Sequence, residues 1–266
     1  MSMLNSADTF TASEMTDAVN KLPLAPMRFS GMFESKGVRT TQVALELKMG
    51  RITLIPDQQR GAEPEYLGGR GRKREIRLLS CTHLPQADTL SPEDLQDVRA
   101  FGSTELVSAA TVINDKMSVL KRNLEMTREF HRLGAVKGIV LDADGKTVLH
   151  NIFDTFGVKQ TKMDVSFPAT VKADANPVLT SIMGAKRKAE HAMQGNPYSY
   201  PVGPGIWKMY HAPADWMETV NTIGLPYYAR MDAKPRSRGY DLEVQSNPLT
   251  LCIYPEALVE LTAKGA

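Results

Sequence analysis

Five histidines, His83, His131, His150, His191 and His211, are the side chains best suited to proton transfer or metal binding near neutral pH. None belongs to an HExxH pair, and no two share the short spacing of a ligand pair. Each reads as a surface or hydrogen-bonded residue. Cys81 and Cys252 lie far apart in apolar, strand-like runs without a CxxC motif, so they read as buried free thiols suited to a reducing compartment. There is no G-x-S-x-G nucleophile turn. The stretch "DADGKT" brings its glycine two positions too early for a calcium loop, which makes Asp144-Gly145 a hairpin turn. No catalytic residue, cofactor or metal ligand is assigned, and the chain is read as a non-enzyme.

The conspicuous chemistry is positive charge. "LGGRGRKREIRLLSC", Leu67 to Cys81, holds Arg70, Arg72, Lys73, Arg74 and Arg77 within eight residues. It fails as a nucleotide-binding loop, because Arg74 stands where the third glycine of GxGxxG belongs, and GxxxxGK[ST] is absent. Three readings remain: contact with the phosphates of a nucleic acid, contact with carboxylates on another protein, which arginine grips in bidentate fashion, or a plain solvated loop. The 266 residues carry a formal charge of only +2, so the run is a local device on a near-neutral chain. Trp207, Tyr210, Trp216, Tyr227 and Tyr228 could stack on bases, though core and interface anchoring is the plainer reading.

Several elements must position that charge. Residues 1–35 hold two prolines and no sustained period, giving an arm with one short helix. "VRTTQVALELKMGRITLI" and "IRLLSC" are strand-like and flank a polar, glycine-rich stretch, so the basic run sits at the tip of a long hairpin. "TLSPEDLQDVRAFG" reads as a short helix capped by Ser91. A long helix opens at Ser103 and ends at Gly134, its apolar face Leu106, Ala110, Ile113, Met117, Leu120 and Leu124. A hairpin follows at 140–149, a strand within "DTFGVKQTKMDVSF", and a second helix from Asn176 to Gly195. The remainder is strand and loop. The class is α+β. At 42% apolar and 23% charged residues the composition is that of a globular protein. No run reaches the ~20 apolar residues of a membrane span, and the polar N-terminus lacks the features of a signal peptide.

Several long stretches carry a resemblance. "RTTQVALELKMGRITLIPDQQRG", "GRGRKREIRLLSCTHLPQADTLSPEDLQDVRAFG", "VINDKMSVLKRNLEMTREFHRLGAVKGIVLDADGKTVLHNIFDTFGV", "APADWMETVNTIGLPYYAR" and "GYDLEVQSNPLTLCIYPEALV" are similar, in order, to the lambda-like major capsid protein family of tailed bacteriophages. The resemblance implies the tailed-phage capsid fold: an N-terminal arm (1–35), an extended loop (36–82), a peripheral domain (83–175) with a long helix over 103–133, and an axial region with a return to the peripheral domain (176–266). Relatives carry a substantial further segment between Gly195 and "YPVGPGIWKMY", so the axial domain is expected to be reduced.

It further implies a virion shell protein, assembled in a host bacterial cytoplasm as hexamers and pentamers of an icosahedral head around double-stranded DNA. Scaffold, portal and decoration proteins are implied partners, DNA is contacted non-specifically, and no membrane is involved. On this reading Arg70, Arg72, Lys73 and Arg74 contact carboxylates of the next subunit. The candidates are Asp241 and Glu243, or Glu93 and Asp94 beside the long helix. Nothing in the residues argues for a covalent link at Lys73. A nucleic-acid-binding protein using the basic loop, and an encapsulin-like compartment holding protein cargo, are the alternatives.

Overall fold

The computed structural model describes residues 11–23, 27–48, 74–96, 108–166, 176–194 and 206–264. Helix α1 (Ala12–Lys21) starts in a capping box. The Thr11 hydroxyl accepts from the Glu14 amide at 3.2 Å, and the Glu14 carboxylate accepts from the Thr11 amide at 2.8 Å. Its buried face is Met15, Thr16 and Val19.

The central unit is a three-stranded antiparallel sheet of β4 (Leu84–Leu90), β10 (Tyr240–Ser246) and β9 (Tyr228–Ala233), with β10 in the middle. Its inner face packs on the long helix α2 (Ala109–Lys137) and on α1. Leu90, Ala229, Met231, Leu242 and Val244 meet Ile113, Met117, Leu120 and Leu124 of α2 and Met15 and Val19 of α1 in one core. Thr16 closes the open edge of β9: its hydroxyl donates to the Ala229 carbonyl at 3.2 Å and accepts from the Ala229 amide at 3.1 Å. Those are edge groups the sheet leaves unpaired.

A second three-stranded sheet joins β1 (Glu34–Gly37), β8 (Trp207–His211) and β11 (Pro248–Cys252), with β1 parallel to β8. Strands β2 (Gln42–Lys48) and β3 (Arg74–Ser80) form the long hairpin, Gln42 opposite Ser80 and Lys48 opposite Arg74. Its base, through Val43, Leu45, Leu79 and Cys81, packs on Ile152, Leu249 and Leu251. A short hairpin of β5 (Ile139–Leu141) and β6 (Val148–Asn151) leads to helix α3 (Ile152–Phe156). Strand β7 (Thr161–Ser166) pairs in parallel with β12 (Val259–Lys264), and α4 (Pro177–Gln194) lies against them. Among the described residues no helix is long and apolar enough to cross a membrane.

The long helix differs from its sequence reading at both ends. Ser108, extended at φ −78°, ψ 145°, is the cap and accepts from the Thr111 amide, so the helix starts after it; residues 103–107 lie outside the described set. Gly134 does not stop it. That glycine lies inside the helix because a Cβ would come within 2.9 Å of the Ile139 carbonyl oxygen and the Val140 Cα. The chain turns at Gly138, φ 85°, where a Cβ would strike the Phe153 ring. Ile113, Met117, Leu120 and Leu124 are buried as expected, whereas Ala110 is exposed.

Of "TLSPEDLQDVRAFG", the described part forms a single 3-10 turn, Pro92–Asp94, and Thr89 and Leu90 belong to β4, a strand the sequence reading missed. Pro85 hid that strand, yet a proline is tolerated on a sheet edge. Helix α3 was missed as well, being too short to carry a period. Asn176 caps α4 as expected, accepting from the Val178 and Leu179 amides.

Candidate functional site

The basic run begins beyond the described part of the hairpin. Arg70, Arg72 and Lys73 lie outside the described residues, and Arg74 enters at the far end of β3, opposite Lys48. The hairpin has a rigid root: the Cys81 amide donates to the Thr41 carbonyl and the Thr82 amide to the Pro248 carbonyl. From that root β2 and β3 pair at seven positions, ending at Lys48 opposite Arg74.

The four carboxylates expected to receive that charge fall into two groups. Asp241 and Glu243 stand on the outer face of β10, since Leu242 and Val244 between them fill the core. Register brings Asp232 opposite Asp241 and Arg230 opposite Glu243. Arg230 Nε donates to Glu243 at 2.9 Å and lies 3.1 Å from Asp232, while Lys234 Nζ lies 3.1 Å from Asp241. Asp215 extends the same row, accepting from the Gln245 side chain at 2.9 Å. The row therefore holds four carboxylates against Arg230 and Lys234, with His83 Nε2 a further neighbour 3.6 Å from Asp215. Asp232, Asp241 and Asp215 keep 63%, 52% and 64% of their side-chain surface open, so lone pairs remain for a further donor.

Glu93 and Asp94 belong to the helix side of the sheet. The Asp94 carboxylate accepts from the Ser91 amide at 2.8 Å, which lowers its pKa, and Lys116 of α2 lies 3.6 Å away. Lys116 also holds Asp88 at 3.2 Å. Glu93 is exposed and makes no ion pair among the described residues. Sequence reading named Asp241 and Glu243 but passed over Asp232 and Asp215. Strand alternation in "YYARMDA" was the available signal for Asp232, because it places Arg230 and Asp232 on one face; Asp215 sits in a loop and carries no such signal.

The remaining candidates are structural. Trp216, Tyr227 and Tyr228 are buried. Tyr228 meets Trp216 edge to face at 6.0 Å, and Arg128 lies 4.5 Å above the Tyr227 ring. Burial pushes the Tyr227 hydroxyl up to about 12. These three rings are core anchors and are closed to bases. Both cysteines are free; burial raises Cys81 to about 11 and Cys252 to about 12, so neither is a nucleophile at neutral pH. His211 is buried with Nε2 2.6 Å from the Ser35 hydroxyl, and desolvation, helped by Arg128 and Arg132, drives its pKa to about 3. No cluster of His, Cys, Asp or Glu that could hold a metal ion occurs among the described residues.

Comparison with known proteins gives this arrangement its context. The model of the family described as "Phage major capsid protein E" matches residues 11–202 and 194–263. The two segments meet where the axial region is expected to be cut short. The major capsid protein of Salmonella phage Felix O1 (isolate Felix O1-VT1) is 25% identical over 154 residues, 57% of this chain and 41% of that protein. The major capsid protein of Pseudomonas phage KPP10 is 32% identical over 126 residues, 45% of this chain and 35% of that protein. The matched region thus spans less than half the length of either relative. Among solved structures, the mature capsid subunit of bacteriophage PhiM1 superposes with a TM-score of 0.50 at 11% identity, over 90% of this chain and 88% of that one, a likeness of fold. By the extent of the family match, the chain belongs to the phage major capsid protein E family.

Proposed function

We propose that this chain is the shell subunit of a phage-type icosahedral head, assembling as hexamers and pentamers around double-stranded DNA, with the virion as its final location. Scaffold, portal and decoration proteins are its expected partners. Its work is assembly, with no chemistry on a substrate. The observation that carries the reading, beside family membership, is the rooted hairpin. A long strand pair rooted on the core and leading, in sequence, to a basic run suits a contact with a second molecule.

Arg70, Arg72, Lys73 and Arg74 are read as the donors, and the outer row of Asp215, Asp232, Asp241 and Glu243 on the next copy as the acceptor. That row is favoured over Glu93 and Asp94 because its carboxylates outnumber its cations and three of them are more than half open. Each exposed pair is worth only ~0–1 kcal/mol, so the shell gains strength from repetition and can correct errors before closing. The arm (1–35), loop (36–82), peripheral (83–175) and reduced axial (176–266) regions follow from the same reading.

Negative-stain microscopy of the purified chain tests it: closed shells or tubes are expected, and a protein that stays monomeric at high concentration and physiological salt defeats the proposal. Reversal of the loop charges (Arg70→Glu with Arg72→Glu) should block assembly, and the reciprocal reversal Asp232→Lys with Asp241→Lys should restore it in part.

A further inference from the structure

The most exposed large apolar side chain among the described residues is Met217, 89% open, in the loop between β8 and β9. Val220, Ile223 and Leu225 of the same loop are exposed as well. Four such side chains within nine residues go beyond the single scattered kind that needs no explanation. The loop is also fixed. The Thr219 hydroxyl donates to the Ala214 carbonyl at 2.7 Å, and the Thr222 hydroxyl to the Thr219 carbonyl at 2.7 Å. Asn221 takes the left-handed conformation, φ 62°, which asparagine tolerates. The Gly224 amide donates to the Val38 carbonyl at 2.8 Å, and the Leu225 amide to the Tyr228 hydroxyl at 2.9 Å. Buried Trp216 and Tyr228 anchor its two ends and meet edge to face.

A complementary surface occurs on the same chain. At the root of the long hairpin Val38, Val43, Ala44 and Leu78 line an open, mainly apolar groove of about 500 Å³, with Thr41 and Gln42 beside them. Leu78 keeps 64% of its surface open, and Met217, exposed as it is, does not fill the groove of its own chain. Charge matches too. Glu218 stands next to Met217 and Arg39 next to Val38; both are exposed, and neither makes an ion pair among the described residues.

Resting on the shell reading, we propose that this loop is the apolar anchor of the contact between copies. Met217 and Val220 of one subunit seat in the hairpin-root groove of the next, and Glu218 pairs with Arg39 at its edge. The occupant is a second copy because each surface finds its match in charge and apolar character elsewhere on the same chain, as a head-to-tail contact requires. Spacing agrees. Leu78 lies four strand positions from Arg74 on β3, and Gln245, which holds Asp215, lies four from Asp241 on β10, ~13 Å in each case. The loop joins the carboxylate row at Asp215, and Arg230 of that row lies 4.9 Å from the Trp216 ring. A hairpin laid along the neighbour's β10 therefore meets the loop with its root and the carboxylates with its outer part. The contact gains an apolar centre that exposed ion pairs alone do not supply.

The test joins the two surfaces directly. Met217→Cys with Leu78→Cys in one chain, assembled and then oxidised, should give a ladder of disulfide-linked multimers on a non-reducing gel, and each single variant should run as monomer. Shells of the double variant without a ladder overturn the proposal. So do dimers from Met217→Cys alone, which would set loop against loop. Met217→Ser with Val220→Ser should raise the critical concentration for assembly, read by light scattering, about tenfold. Its urea midpoint should stay unchanged, because both side chains are exposed. An unchanged critical concentration would leave the loop to a different protein and overturns the proposal; a matching loss of monomer stability would assign the loop to the fold and does the same. Glu218→Arg and Arg39→Glu should each hinder assembly, and the two together should restore it; without that rescue the charge match, and with it the choice of a second copy, fails. Negative-stain images separate the failures: wild-type shells that these variants leave untouched defeat the anchor alone, whereas absence of wild-type shells defeats the reading beneath it.

Discussion

Of the residues that α2 buries, an apolar half lies toward the N-terminus (Ile113, Met117, Leu120 and Leu124) and a polar, mostly charged half toward the C-terminus (Lys121, Glu125, Arg128, His131 and Arg132), the two interleaving between Leu120 and Glu125. Both halves point inward along one continuous helix, and they hold the fold by different physics. The apolar half meets the sheet and α1 in a core where contact is non-directional. The charged half meets specific atoms brought from both ends of the chain. Lys121 Nζ donates to the Val19 and Leu22 carbonyls at 2.8 and 2.7 Å. Arg132 donates to Glu129 at 2.9 Å, and Glu129 in turn accepts from the Phe29 amide at 2.8 Å. Arg128 lies over Tyr227 and reaches Met209 Sδ at 3.6 Å. Packing supplies bulk stability in the first half; in the second, directed bonds fix where the arm and the late strands cross the helix.

Removing one partner from the charged half should cost about as much as truncating a core side chain. Glu129→Ala leaves the Arg132 guanidinium without its carboxylate and the Phe29 amide without an acceptor. Breaking a buried pair from one side costs about 3–5 kcal/mol, and partial exposure places this one near the lower end, at about 3 kcal/mol. Urea unfolding should show that loss for Glu129→Ala and a smaller one for Glu129→Gln, which still accepts from Phe29. Equal midpoints for both would mean that charge plays no part here. In the apolar half Met117→Ala should cost about 2–4 kcal/mol through lost transfer energy and the cavity left behind, while Met117→Leu should cost under about 1.5 kcal/mol. The contrast between the halves fails if swapping shape matters as much in the first as swapping charge does in the second.

Proton linkage sharpens the same contrast. His211 sits beside the charged half with a folded pKa near 3 against an ordinary 6.5, so between those values the unfolded chain binds a proton that the folded chain refuses. Its stabilisation is whole above pH 6.5, declines as pH falls, and is gone below about 3. Burial lowers His131 and His150 in the same direction. Each group contributes at most about 1.4 kcal/mol per pH unit inside its window. Urea midpoints taken from pH 7 down to about pH 4 should fall steadily for wild type and less steeply for His211→Gln, in which the side chain can still bond to Ser35. An identical slope in the variant would remove His211 from the account.

These two halves also mark what the residue pattern could reveal. The apolar half was legible, since four positions spaced by four and three identify both helix and face. The charged half was not: Arg128 and Arg132 fall in ordinary solvent-type residues, and only the tertiary partners Phe29, Met209 and Tyr227, distant in sequence, explain why they are buried. Gly134 misled because a glycine late in a helix signals a stop unless a neighbouring backbone needs the space, and that neighbour is the strand that follows. The hairpin pairing and the turn at Asp144-Gly145 were readable from local chemistry, Asp144 accepting from the Lys146 and Thr147 amides at 2.8 Å each. The row of carboxylates on the outer sheet face was half readable, because register across β9 and β10 is a property of the sheet.

The smallest effect on the lone chain should come from that outer face. Asp241→Asn removes one side of an exposed pair with Lys234, worth about 0–1 kcal/mol, so the unfolding midpoint should barely move. On the proposed reading, the same substitution repeated in every copy of a shell weakens every loop contact at once, and closure would depend on many such contacts together. Light scattering during assembly should therefore show a raised critical concentration for Asp241→Asn, raised further for Asp241→Asn with Asp232→Asn, at nearly unchanged monomer stability. If monomer stability and critical concentration shift in proportion, the face is part of the fold alone. A shift confined to assembly is what separates surface charge that serves the shell from the buried charge of α2 that serves the chain.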